Sequence, residues 1–347
     1  MADIHYTGRM AVFLDSSTNE GQPEMEARTT TRTYRVLGVP FRTGSLYPGS
    51  ENDAQPYRDA GLIARLQAAG CQAVDDGDVA IPSYLPHHTI PPIRSWPGPR
   101  IVWDCVADVL APSLRRAGHV PLLIGCDCSI VVGSAQAFTR AGAGDDVHVI
   151  YVDGDFDDAP PRADRYQSAA AMALWLLTQP SPFWAGPPID PSRVTVVGWT
   201  NASQLAAPAG GAPPVGSSAA SGAGATAPAA AAGHAGMRSV SLDDLRRVGA
   251  GVAARQVLDA IPPAAPILLH FDIDVFARRE LSAAYFPHED GLTLAEGAAL
   301  LDVLLKDPRI RVIEVTEYAS LRDADQQGAR QLVELLASGL AGPSKTA

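Results

Sequence analysis

Six short apolar runs alternate with longer stretches of helical period, and this alternation restricts the fold more than any other feature of the chain. The runs are "YRVLGVPF", "VPLLIG", "VHVIYVD", "RVTVVGW", "PILLHFD" and "IRVIEVTE". Continuous apolar runs bounded by turn residues read as strands buried on both faces of a parallel sheet. Between them, "YRDAGLIARLQAAG", "RIVWDCVADVLAPSLRRAG", "SAAAMALWLLTQ", "SLDDLRRVGAGVAARQVLDAI" and "TLAEGAALLDVLLK" have helical spacing. The last opens with Thr293 and Glu296, the residue types of a capping box. Ser129 is placed to cap the helix "SIVVGSAQAF". Strands joined through helices make right-handed crossovers, so the expected fold is a three-layer α/β/α sandwich with a mostly parallel central sheet.

With 347 residues, 46% of them hydrophobic, the chain can bury a large core. Residues 34–342 read as one α/β domain. Residues 1–33 read as a loose tail, and residues 202–236, nearly all Ala, Gly, Pro and Ser, as a disordered insertion within the domain. The net charge of −11 argues against nucleic-acid binding, which needs Lys and Arg patches. The N-terminal residues lack a leader-like apolar core, and no apolar run reaches the roughly 18 residues of a membrane span. A cytoplasmic location is therefore expected. Cys71, Cys105, Cys126 and Cys128 form no CxxC pair and are expected as free thiols, with Cys71 and Cys105 serving packing.

Three of the strands end in acids or sulfur. "PLLIGCDCS" ends in Asp127 and Cys128, "VHVIYVDGDFD" in Asp153, Asp155 and Asp157, and "PILLHFDID" in Asp272 and Asp274. Ligands of open α/β sheets bind beyond the carboxyl ends of the strands, so these acids can meet in one crevice. So many carboxylates repel one another unless cations lie among them, and hard divalent ions take oxygen ligands. A metal site, binuclear by the number of donors, is the expectation. "DGDFDD" is not an EF-hand loop, because Asp158 stands where the turn needs Gly and a strand precedes it. "DIDVF" fails the DxDx[T/V] phosphatase pattern at Phe276.

In order and spacing these motifs resemble the arginase/agmatinase (ureohydrolase) superfamily over roughly residues 34–340. "GCDCS" stands for the family's G-G-D-H-S, "DGDFD" for D-A-H-x-D or D-G-H-x-D, and "DID" opens D-x-D-x-x-D. The Cys in the first motif is similar to a branch typified by the hydroxyarginine hydrolase of D-cycloserine biosynthesis. The resemblance implies an arginase-like fold, two Mn²⁺ ions, and hydrolysis of a guanidino compound to urea and an amine. It implies that Asp153 and Asp272 bridge the metals, that Asp157 and Cys128 complete the first position, and that Asp155 and Asp274 complete the second. Asp157 and Glu317, the latter in "VTEY", are the catalytic candidates, with Glu317 holding the guanidinium. A homo-oligomer is also implied.

The chain departs from the pattern at several points. Cys128 and Asp155 replace two His ligands, Ala277 replaces the third Asp of the last motif, and Ala170 falls where the family has a proton-transferring His. Thiolate is softer than imidazole and tilts the Cys128 position toward Zn²⁺ or Fe²⁺. Six ionised ligands (Cys128 and Asp153, Asp155, Asp157, Asp272 and Asp274) carry −6 against +4 from two dications, which favours metal binding but weakens activation of water. Arg162 and Arg165, in the loop after the second motif, are candidates for pairing with a substrate carboxylate. A degenerate member with a binding or regulatory role is the alternative function. A Cys128-nucleophile enzyme is disfavoured for want of a His partner, and His270 is expected to be structural.

Overall fold

A computed structural model describes residues 32–45, 47–85, 88, 90–200 and 236–341. Eight strands form one all-parallel sheet: β1 (Thr33–Gly38), β2 (Gln72–Asp78), β3 (His119–Ile124), β4 (His148–Val152), β5 (Val194–Val197), β6 (Arg238–Val240), β7 (Ile267–Asp272) and β8 (Ile310–Thr316). Their spatial order is β2-β1-β3-β8-β7-β4-β5-β6. The central strands bury both faces. On β4, Ile150 and Val152 enter one core and Val149 and Tyr151 the other. The first core holds helices α1 (Gln55–Asp59), α2 (Leu62–Ala68), α6 (Leu242–Val248), α7 (Ala250–Asp259), α8 (Leu294–Leu304) and α9 (Gln327–Leu340). The second holds α3 (Gly98–Leu114), α4 (Ile130–Ala141) and α5 (Ala173–Thr178). The sheet between two helical layers is the expected sandwich.

All six apolar runs became strands, but two further strands went unread. β2 exposes every residue except Ala73, and β6 has only three residues, none fully buried. Both lie at the sheet edges, where one side of the backbone lacks a neighbour and polar residues are tolerated. Two periodic stretches are each split by a glycine at positive φ. Gly61 (φ 80°) separates α1 from α2, and Gly249 (φ 92°) separates α6 from α7. The capping box at Thr293 and Glu296 is present.

Ser129 does not cap α4 as expected. Its backbone is already helical and its side chain makes no cap bond. Instead its hydroxyl donates to Asp127 Oδ1 at 2.5 Å and accepts from Trp103 Nε1 at 2.9 Å. The hydroxyl's proton goes to the buried Asp127 carboxylate and its oxygen to the Trp103 N–H, so neither is used to cap the helix. Thr33, placed by sequence in the tail, opens β1, while residues 1–31 and 202–235 of the expected tail and insertion lie outside the described residues.

Candidate metal centre

Strand register assembles the site. β4 pairs with β7 through Val152 and Phe271, so the next residues, Asp153 and Asp272, stand side by side. Asp272 pairs in turn with Thr316 of β8, and Glu317 follows directly. β3 pairs with β8 through Ile124 and Val315, and the loop beyond it carries Cys128. These four strands are contiguous in the middle of the sheet. Cys128, Asp155, Asp157, Asp272, Asp274 and Glu317 line one cavity of about 130 Å³, with Ser168, Ala170, Ala171 and Phe286 completing its wall. Asp153 lies beneath it, with donor atoms within 4.8 Å of those of Asp272 and Asp274. The five aspartates expected as metal ligands, with Cys128 and Glu317, thus meet at one place, whereas Asp127 does not line the cavity.

Local hydrogen bonding orients the acids. Asp153 Oδ1 accepts the Asp155 N–H at 2.6 Å, and Asp272 Oδ1 accepts the Asp274 N–H at 2.7 Å. Each is an Asx turn, in which one oxygen is spent on the backbone and the other points into the cluster. The Oδ2 atoms accept from Cys128 Sγ, at 2.7 Å for Asp272 and 3.9 Å for Asp153. The Tyr151 hydroxyl donates to Asp157 Oδ2 at 2.8 Å. Cys126, Asp157 and Glu317 hold positive φ values of 66°, 36° and 60°. Left-handed backbone in non-glycine residues costs about 1–3 kcal/mol each and gathers where side chains must be aimed.

The electrostatics call for cations. Burial, then the charges of neighbouring carboxylates, push Asp153 and Asp272 far above the usual carboxylate range. Asp157 and Glu317 are raised by the same two causes. Burial followed by Asp272 and Asp153 raises the Cys128 thiol likewise. Glu317 is 3% exposed, and its Oε2 has no hydrogen-bond partner. Buried acceptors without donors are strongly unfavourable. The donor set, five aspartates and a thiol around a small cavity, fits divalent metal ions.

One residue of the cluster went unread. His288 Nε2 lies 3.4 Å from Asp155 Oδ2 and 3.6 Å from Asp274 Oδ2. Burial works to lower its pKa, but the two carboxylates prevail and raise it to about 10. "FPHED" carries no motif, so only a search for unassigned His near the "DID" segment would have singled it out. His270, expected to be structural, is held by buried partners, although one of its ring nitrogens also lies within 4.8 Å of donor atoms of Cys128 and Asp153. Its Nδ1 is 2.7 Å from Glu314, its Nε2 is 3.3 Å from Thr316 Oγ1, and its ring stacks on Tyr151. Arg162 and Arg165 do not line the cavity. Arg162 forks onto Asp164 with two bonds of 2.9 Å at the surface. Among the described residues no helix is long and apolar enough to cross a membrane.

Comparison with known proteins agrees with this geometry. Residues 32–341 match the model of the arginase family. Arginase-1 of Bos taurus is 22% identical over 301 residues, covering 81% of this chain and 83% of its own. Among solved structures, the arginase of Bacillus subtilis superposes with a TM-score of 0.69 at 19% identity, covering 90% of this chain and 100% of its own. The formiminoglutamase of Trypanosoma cruzi, solved with Mn2+2, gives a TM-score of 0.64 at 17% identity, covering 89% and 93%.

Proposed function

Because the chain belongs to the arginase family, we propose that it is a metal-dependent amidinohydrolase that cleaves a C–N bond of a guanidino compound, giving urea and an amine. Glu317 carries this assignment. A buried carboxylate with an unpartnered oxygen in the cavity wall suits a cationic head group better than a neutral one. Cys128, Asp153, Asp155, Asp157, Asp272 and Asp274 would hold two divalent ions, Mn²⁺ by family precedent, with Zn²⁺ or Fe²⁺ favoured where Cys128 ligates. When bound, such ions polarise the substrate and activate water at neutral pH.

The chain's own residues divide the remaining work. Tyr151 fixes the Asp157 carboxylate, and the two Asx turns fix Asp153 and Asp272. Glu317 orients the guanidinium. A cavity of about 130 Å³ is well below the roughly 300–1,000 Å³ of a drug-sized site, so it takes the guanidino head and leaves the rest of the substrate outside. Cys128 supports a place near the hydroxyarginine-hydrolase-like branch.

Ala170 lines the cavity but cannot carry a proton. General acid–base help is worth about 10²–10⁴ in rate, so turnover should be slow for the family. That same residue favours the second reading, a non-catalytic member that binds a guanidino ligand. The deciding assay is urea release from a panel of guanidino compounds by the Mn²⁺-loaded chain. Activity abolished by EDTA and by Asp272→Asn is expected. Activity indifferent to both would sink the metal-dependent mechanism, and metal and ligand binding without urea from any compound would favour the second reading.

A further inference from the structure

We propose that the His288 imidazole is a ligand of the second metal position, acting with Asp155 and Asp274. This rests on the metal-centre reading above and extends it to a residue outside the sequence motifs. The family resemblance puts an imidazole where Asp155 stands. Here an imidazole reaches Asp155 and Asp274 from the far end of the loop that follows β7.

Three features place it there. First, Nε2 is directed between Asp155 Oδ2 and Asp274 Oδ2, at 3.4 and 3.6 Å, yet it makes no hydrogen bond to either. Two donors held about 2.1 Å from one ion at about 90–120° lie about 3.0–3.6 Å apart, a range that contains both separations. Second, the backbone delivers the ring. The loop folds back on the end of β7, with Arg278 N–H donating to His288 O at 2.7 Å and Ala277 N–H to Leu292 O at 3.0 Å. Third, Gly154 makes the approach possible. A Cβ at that position would lie 2.5 Å from His288 Cδ2 and 2.9 Å from Nε2, so a side chain there would push the ring aside.

A separate observation marks the cavity as one built to receive positive charge. The unpartnered Oε2 of buried Glu317 lines the same cavity as Asp155 and Asp274. His288 gives the second position a nitrogen donor among carboxylates. That selects Mn²⁺ or Zn²⁺ over Ca²⁺ and Mg²⁺, which prefer oxygen alone. The rival role is a fixed counter-cation, in which the imidazolium takes the second ion's place and leaves a one-metal centre.

The test is titration of the metal-free full chain with Mn²⁺ alone by calorimetry, with ions per chain counted by elemental analysis. The wild type should bind two. His288→Ala should weaken the second ion by at least about 10-fold, leave the first unchanged, and give the EPR signal of an isolated Mn²⁺ in place of a coupled pair. Gly154→Ala, which displaces the ring without deleting it, should act in the same direction. Asp155→His added to His288→Ala should restore the second ion. Circular dichroism of each metal-free variant checks that it folds. Two ions bound by His288→Ala with wild-type affinity would overturn the ligand role and leave the amidinohydrolase reading standing. Tighter second-ion binding would overturn it in favour of the counter-cation. A wild type that binds no Mn²⁺ would overturn both.

Discussion

Glu317 directly follows β8, at a φ of 60°, with a carboxylate that has almost no contact with solvent. Its backbone ties β8 to the loops at Cys126 and Tyr285, but its buried carboxylate weakens the fold rather than supporting it. Glutamine keeps the shape and removes the charge. Glu317→Gln is therefore expected to keep its metal content and lower kcat/KM for a guanidino substrate by about 10²-fold or more, about 2.7 kcal/mol of lost transition-state binding. Steady-state kinetics beside elemental analysis checks this, and unchanged kcat/KM would remove Glu317 from the site. Sequence singled out Glu317 by its place after the last strand, but its burial and its free oxygen needed the packed strands. Asp127 shows the opposite case. It stands beside Cys128 in sequence, yet its carboxylate turns away to accept the Gly44 and Ser129 N–H groups and ties down a loop.

The start of α9 shows how one acid can secure an element. Asp323 accepts the Gly328 and Ala329 N–H groups at 3.1 and 2.9 Å and the Tyr318 hydroxyl at 2.7 Å. Burial pushes its pKa up, but these donors outweigh burial and hold it below the usual carboxylate value. A depressed pKa means that the folded state binds its proton less readily than the unfolded state. The stabilisation is therefore present above the unfolded value near 3.9 and is lost as pH falls through the lower, folded value. Asp323→Asn should cost about 1–2 kcal/mol at pH 7, with the gap from wild type closing below about pH 4. Urea unfolding at the two pH values measures it, and a gap independent of pH would show that charge plays no part. The central strands were legible because burial on both faces leaves an unbroken apolar run. β2 and β6 were not, because an edge strand needs no such run, and the breaks at Gly61 and Gly249 interrupt helices without interrupting their period.

Across the sheet, the centre draws on β3, β4, β7 and β8, which adjoin in space while lying far apart in the chain. A ligand that needs all four segments together binds only the folded state and stabilises it by mass action. At 100 times its Kd, one ion adds about 2.7 kcal/mol. Mn²⁺ is expected to raise the melting temperature of EDTA-stripped protein, and Asp272→Asn should largely abolish the rise. A melting temperature indifferent to Mn²⁺ would argue against a centre built from these segments.

What the sequence determined by itself was the layered α/β architecture and the acids at three strand ends, because both are written in local pattern. Apolar runs set which strands are buried, and alternating aspartates after a strand set which side chains reach its carboxyl edge. Tertiary structure alone decided the neighbours. It fixed the register that sets Asp153 beside Asp272, the turn that sends Asp127 away from the cavity, and the folded-back loop that brings His288 to Asp155 and Asp274. These depend on contacts between residues far apart in the chain, and no local spacing encodes them.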